Sequence, residues 1–121
     1  MQVKDRIIVV TGAASGIGRA LAQRFAADGA KKVICADING EGAKAVADAI
    51  GGRAFTTNVA KEADIQSLIE TVEAEEGPID LFCSNAGIGY GGGAEVSDER
   101  WQRIWDVNVM AHVWADRKSV V

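Results

Sequence analysis

The chain has 121 residues, enough for one small domain with little room for a second. Hydrophobic residues make up 48% and charged residues 25%, an ordinary globular composition. A formal net charge of -4 gives a nucleic-acid partner no electrostatic support, and no apolar run approaches the ~18 residues that a membrane span needs.

Strand and helix patterns alternate with almost no slack. Arg6 to Val10 is a continuous apolar run, as expected of a strand covered on both faces. A helix follows from about Gly16 to Asp28, with Ile17, Ala20, Leu21 and Phe25 at helical spacing and Gly29 as its stop. Lys32 to Ala36 reads as a second strand. Asp37-Ile38-Asn39 opens a second helix, with Ala43, Val46, Ala47 and Ile50 on one face and Gly51-Gly52 at its end. Arg53 to Thr57 is the third predicted strand. Ile65, Leu68, Ile69 and Val72 then recur at i, i+3, i+4, i+7, and Gly77-Pro78 closes that helix. Ile79 to Ser84 is the fourth strand, followed by a glycine-rich loop from Gly87 to Gly93. A last helix takes Ser97 as N-cap, with Asp98 and Glu99 in its first turn. Repeated βα units of this kind predict an α/β fold, a Rossmann-type doubly wound parallel sheet that stops after the fourth strand and the following helix.

The first turn carries the chemistry. Gly12, Gly16 and Gly18 sit where a strand must become a helix whose N-terminus is left bare. The first amides of such a helix lack partners and the dipole adds about half a positive charge, so the turn predicts a phosphate site. Glycines let the backbone take positive φ and let a pyrophosphate approach. A Walker-type loop is excluded, because Gly18 is followed by Arg19-Ala20 and not by Lys-Ser/Thr. Close strand–helix packing alone would also use these glycines. Asp37 argues against that plainer reading: it stands at the end of the second strand, 19 residues after Gly18, where a carboxylate would accept hydrogen bonds from the adenosine ribose. The same carboxylate repels a 2′-phosphate, which favours NAD over NADP. Asp37 as a mere helix N-terminal charge, and Arg19 as a pointer to NADP, are the competing readings.

Cys35 and Cys83 each lie inside an apolar run and read as buried thiols. In a sheet of order 3-2-1-4 they sit two strand spacings apart, about 9.6 Å, beyond the reach of a disulfide. Two isolated cysteines and one histidine match no zinc spacing, so no metal site is expected. The N-terminus, MQVKDR, lacks the apolar stretch of a secretory signal, and a cytoplasmic location is the expectation.

Thr11-Gly12-Ala13-Ala14-Ser15-Gly16-Ile17-Gly18 resembles the TGxxxGxG motif of the short-chain dehydrogenase/reductases. Asn85-Ala86-Gly87 is similar to that family's NNAG segment, with Ser84 in place of the first Asn, and Asn108 is similar to the helix Asn of its catalytic tetrad. The resemblance runs from about Lys4 to Ala115. It implies pyrophosphate-loop contacts for Ser15 and Ile17, and an adenine-reading pair at Asn58-Val59, where Asn replaces the usual Asp. It places Asn85 and Gly87 beside the nicotinamide ribose, although Asn85 could equally tie strand ends together. It implies an oxidoreductase that interconverts a small-molecule alcohol and a carbonyl. A methyltransferase-like site for S-adenosylmethionine also uses a glycine loop and an acidic residue, but Asn85-Ala86-Gly87 and Asn108 favour the dehydrogenase. A self-sufficient nucleotide-binding or sensor module without catalysis is the other alternative.

Reduction of a carbonyl needs a proton donor beside the hydride. The family supplies a Tyr with a Lys four residues later and a Ser on the substrate oxygen. This chain has a single tyrosine, Tyr90, followed by Gly91-Gly92-Gly93-Ala94, so of the tetrad only Asn108 is present and the chain alone is expected to be inactive. Tyr90 reads as a loop residue near a cleft, and His112 as a helix-surface or interface residue. Trp101, Ile104, Trp105, Val109 and Val113 make the last helix apolar, alongside Val107, Met110 and Trp114. In the family this helix joins a dimer bundle, which implies a homodimer or homotetramer for the full-length protein. The tail Asp116–Val121, DRKSVV, reads as translated sequencing-adapter DNA ending before a stop codon. The expected native part is therefore residues 1–115, with 116–121 as adapter read-through.

Overall fold

The computed structural model describes residues 1–119, and the last two residues of the tail, Val120 and Val121, lie outside the described residues. Four strands, β1 (Ile7–Thr11), β2 (Lys32–Asp37), β3 (Arg53–Thr56) and β4 (Leu81–Cys83), form one parallel sheet in the order β3-β2-β1-β4. The chain thus builds outward from β1 in one direction and then returns to its other side. The expected doubly wound arrangement is present.

Burial follows from the residue pattern. All five residues of β1, Ile-Ile-Val-Val-Thr, are buried, because helices cover both faces of the central strand. On one face Ile8, Val10, Val33 and Cys35 pack with Ala22 of α1 (Gly16–Ala27) and with Ala43, Val46 and Ala47 of α2 (Gly40–Ile50). On the other face Ile7, Val9, Ile34 and Ala36 meet Leu68 and Val72 of α3 (Glu62–Glu75). Asn39 caps α2, its Oδ1 accepting the Gly42 N–H at 3.0 Å.

Two expectations needed correction. The predicted fourth strand, Ile79 to Ser84, shrinks to Leu81–Cys83 because side chains replace the ladder at both ends. At its start the Asp80 carboxylate accepts the Ile7 N–H at 2.8 Å. Beyond Cys83, the Asn85 and Ala86 N–H groups donate to the Thr11 hydroxyl at 3.0 and 3.2 Å. The predicted last helix is also not regular. It comprises α4 (Asp98–Trp105), a π-helical turn (Asp106–Met110) and α5 (Ala111–Ser119). Ser97 occupies the N-cap position but makes no side-chain cap bond; its carbonyl accepts from the Arg100 and Trp101 N–H groups instead. Val107, Ala111 and Ala115 form a third buried cluster with Ile65 and Ile69 of α3. Residues 116–119 continue α5, with Arg117 and Lys118 beside Glu62.

Cys35 and Cys83 are both free thiols, and they flank Val10 from opposite sides in the sheet register. Burial pushes the Cys35 thiol up from the ordinary 9.0 to about 11. The neutral form is thus favoured in the fold, and between pH 9 and 11 the unfolded chain sheds its proton first. Stability contributed by Cys35 is complete below pH 9 and drains as the pH rises toward 11. Wholly buried and held as the neutral thiol, native Cys35 should alkylate at least about 100-fold more slowly than the unfolded chain at pH 8, as followed by mass spectrometry with and without denaturant.

Gly18 is buried where α1 crosses the preceding turn, and a Cβ there would run into the Gly12 carbonyl oxygen. Backbone cannot swing aside as a flexible side chain does. Gly18→Ala is therefore expected to destabilise the fold by about 2–3 kcal/mol, measurable as a lowered denaturation midpoint. An unchanged midpoint refutes this account of the contact.

Trp101 and Trp105 are 53% and 54% exposed, and Val109 and Val113 continue the same stripe. Among the described residues β4 has no strand on its outer side, and Leu81, Phe82 and Cys83 are only half-buried there. An exposed apolar stripe and an open sheet edge each predict self-association. Gel filtration of the isolated chain should show aggregates, reduced in the Trp101→Glu, Trp105→Glu double variant. A monodisperse monomer with cooperative unfolding contradicts this.

Candidate functional site

Because β2 and β4 lie on opposite sides of β1, the chain switches direction at the carboxyl end of β1. A crevice opens there between the loops after β1 and β4. It holds a cavity of about 450 Å³. Every predicted cofactor residue except Gly18 lines it: Gly12, Ser15, Gly16 and Ile17 from the first turn, Asp37 from β2, Asn58 and Val59 after β3, and Asn85, Ala86 and Gly87 after β4. Gly18 lies beneath the turn.

The first turn is shaped to bring backbone, not side chains, to the cavity. Gly12 has φ +70°, and a Cβ on it would sit 2.9 Å from the Ala86 Cα. Ser15 is the N-cap of α1 in extended conformation, yet its side chain makes no cap bond, and the first turn of α1 carries no acid. The helix N-terminus thus keeps its positive end and an exposed hydroxyl beside it. Ile17 is 74% exposed in the same turn.

Asp37 does two things. Its Oδ2 accepts the Ala14 N–H at 3.0 Å, which braces the glycine turn against the end of β2. Its Oδ1 accepts the Asn39 N–H at 2.9 Å and so shapes the entry to α2. Each carboxylate oxygen retains a further lone pair for a hydroxyl donor. Asn58 is similarly committed in part: its Oδ1 accepts the Ala60 N–H at 3.0 Å, and its own N–H donates to Asp64 Oδ2 at 2.9 Å. Val59 beside it is buried.

The two asparagines act through backbone. Asn85 Nδ2 donates to the Thr11 carbonyl at 3.1 Å, while the Thr11 hydroxyl accepts the Asn85 and Ala86 N–H groups. The strand-tying role considered for Asn85 is thus formed, and Asn85 also faces the cavity. Asn108 lies in the π-helical turn and does not line the cavity. Its Oδ1 accepts the Ile88 N–H at 2.9 Å and its Nδ2 donates to the Ile88 carbonyl at 2.8 Å. It fixes the segment Gly87-Ile88 as a strand partner would.

Thr11, Ile38, Thr57, Ile88, Arg103 and Val107 belong to the site and were not assigned roles from sequence. Thr11 had a readable signal, a hydroxyl at the end of a wholly buried strand. Arg103 and Val107 had none, since they reach the cavity only because α4 and the π-helical turn come beside the segment 57–59 that follows β3. Tyr90 lies outside the cavity, with the Arg100 guanidinium 5.1 Å from its ring centroid. His112 is not a lone surface residue: its Nδ1 and the Ser84 hydroxyl share a hydrogen bond of 2.6 Å, tying α5 to the end of β4. Among the described residues no group of three His, Cys, Asp or Glu side chains could hold a metal ion, and no helix is long and apolar enough to cross a membrane.

Residues 6–120 match the family model described as short chain dehydrogenase. The chain is 39% identical over 112 residues to the 3-oxoacyl-(acyl-carrier-protein) reductase FabG of Escherichia coli (strain K12), a match covering 90% of this chain and 46% of that protein. It is 38% identical over 114 residues to the D-threitol dehydrogenase of Mycolicibacterium smegmatis, covering 89% and 44%. Its fold is similar to that of the 3-ketoacyl-(acyl-carrier-protein) reductase from Brucella melitensis complexed with NADH, at a TM-score of 0.92 and 35% identity, covering 98% of this chain and 50% of that one. The chain spans about half the length of the curated relatives it matches. It belongs to the short chain dehydrogenase family.

Proposed function

We propose that this chain is the dinucleotide-binding part of an NAD-dependent oxidoreductase that interconverts an alcohol and a carbonyl of a small-molecule substrate. One observation carries the reading: the bare N-terminus of α1, the Asp37 carboxylate and the Asn58-Val59 pair open on a single cavity. The residues present fit such a cofactor. The floor at Gly12 has no room for a Cβ, the Ser15 hydroxyl is unspent, and the helix end favours an anion. Gly12, Ser15, Gly16 and Ile17 would hold the pyrophosphate, with Gly18 keeping the turn close. Asp37 would take the adenosine ribose, Asn58 and Val59 the adenine, and Asn85, Ala86 and Gly87 the nicotinamide ribose. When bound, the nicotinamide supplies or accepts the hydride. NAD is preferred over NADP because Asp37 brings a negative charge to the place of a 2′-phosphate. The NADH complex of the Brucella relative supports a nicotinamide dinucleotide.

Asn108 is a positioning residue in this reading, acting through the Ile88 backbone. Tyr90 has no Lys four residues later, so this chain carries no proton donor of the family's kind and is inactive alone. That both side-chain hydrogen bonds of Asn108 go to Ile88 also suits the second reading, a binding or sensor module. Coding sequence after Ala115 separates the two: a Ser and a Tyr-x-x-x-Lys there support the enzyme. We read the tail 116–121 as adapter-derived; its ion pairs with Glu62 are exposed and worth little, and sequencing the genomic locus tests its origin. The exposed Trp101 and Trp105 support a homodimer or homotetramer for the full-length protein, which we place in the cytoplasm with no nucleic-acid or membrane partner.

Titration by NADH fluorescence tests the cofactor. Wild type should bind NADH at least about tenfold more tightly than NADPH, the worth of hydrogen bonds to a charged group. Asp37→Ala should bring the two within about threefold, by weakening NADH and admitting NADPH. Equal binding of both by wild type, or binding of S-adenosylmethionine alone, overturns the reading.

A further inference from the structure

Two charged side chains line the cavity, Asp37 and Arg103. Asp37 is already braced by backbone amides, whereas Arg103 makes no ion pair among the described residues. Arg6, Arg24, Arg53 and Arg117 all have carboxylate partners, and Arg100 lies over Tyr90. Arg19 also makes no ion pair among the described residues, but it does not line the cavity. The lack of a partner is notable because acids are near: Asp98, Glu99 and Asp106 line the adjoining hollow with Arg103. Asp106 instead accepts from the Gln102 amide at 2.9 Å. Arg103 and Asn58 are the two residues that line both hollows, so Arg103 stands where the cavity meets its neighbour, at the end that holds Asn58.

We propose that Arg103 is a specificity-determining residue for the purine end of the ligand, a proposal that rests on the dinucleotide reading above. Asn58 Oδ1 offers an acceptor, suited to an exocyclic amino group. Arg103 offers donors only, suited to ring nitrogens or a 6-oxo group, and its planar cation can lie against a π face. The two side chains therefore present complementary halves of a purine-reading surface. Val59 and Val107, both buried beside them, supply apolar contact. A free cation also favours a ligand that carries net negative charge.

The test uses the 121-residue chain with three probes: NADH, its hypoxanthine analogue (6-oxo in place of 6-amino) and reduced nicotinamide mononucleotide, which lacks the purine. Arg103→Leu should weaken NADH by about 5- to 20-fold and leave the mononucleotide unchanged. It should weaken the hypoxanthine analogue by a larger factor, because that probe loses a donor for Asn58 and depends more on Arg103. Arg103→Lys should fall between wild type and Arg103→Leu for NADH, since it keeps the charge without the planar fork. Equal losses for all three probes in Arg103→Leu would mean a damaged fold and would overturn the role, as would unchanged NADH affinity in both variants. Failure of wild type to bind NADH refutes the dinucleotide reading itself, a separate outcome.

Discussion

The site depends on a clasp at the end of the central strand. Thr11 is the last residue of β1, and its hydroxyl and carbonyl together hold three N–H groups from Asn85 and Ala86. These bonds replace the strand ladder after Cys83. They turn the chain leaving β4 so that it lies over Gly12, close enough that a Cβ there would meet the Ala86 backbone. Crevice, floor and the placement of Gly87 all follow from that one junction. Thr11 is almost wholly buried, so its hydrogen bonds form away from competing water and are costly to lose.

A second layer of the same logic fixes the far walls. Asp80 starts β4 by taking the Ile7 N–H, Asp37 holds the turn at Ala14, and Asn108 closes on Ile88. In each case a short polar side chain substitutes for a missing strand neighbour. The cavity is therefore framed by side chain to backbone bonds across segments far apart in sequence, while the helices supply the apolar weight behind it. Asp37 and Asn85 serve both ends at once, bracing backbone while they line the cavity.

Much of this was legible in the sequence. The wholly apolar β1, the i, i+3, i+4, i+7 series of α3 and the glycine turn each obey a local rule, and the structure keeps them. Asp37 was found because its spacing from the glycine turn places it at the neighbouring strand end, whereas Asn58-Val59 came from the family resemblance alone. The shortened β4 was hidden because its limits come from Asp80 and Thr11, whose partners lie more than seventy residues away. Ser97 takes the expected N-cap position but caps with its carbonyl and not with its hydroxyl. Arg103 was invisible for a different reason: nothing in a helix sequence says which strand end it will fold back upon.

The π-helical turn at Asp106–Met110 inserts one residue into the helical count, and each residue of an α-helix advances the face by about 100°. Val107 within the turn and Ala111 and Ala115 after it all face α3, and Asn108 faces Ile88. Removing a single residue from this stretch would restore regular α-helical phase. It would also turn α5 away from α3 and carry the amide away from Ile88. The two helices are thus geared to one another through a fixed offset, and this segment would tolerate many substitutions more readily than one deletion.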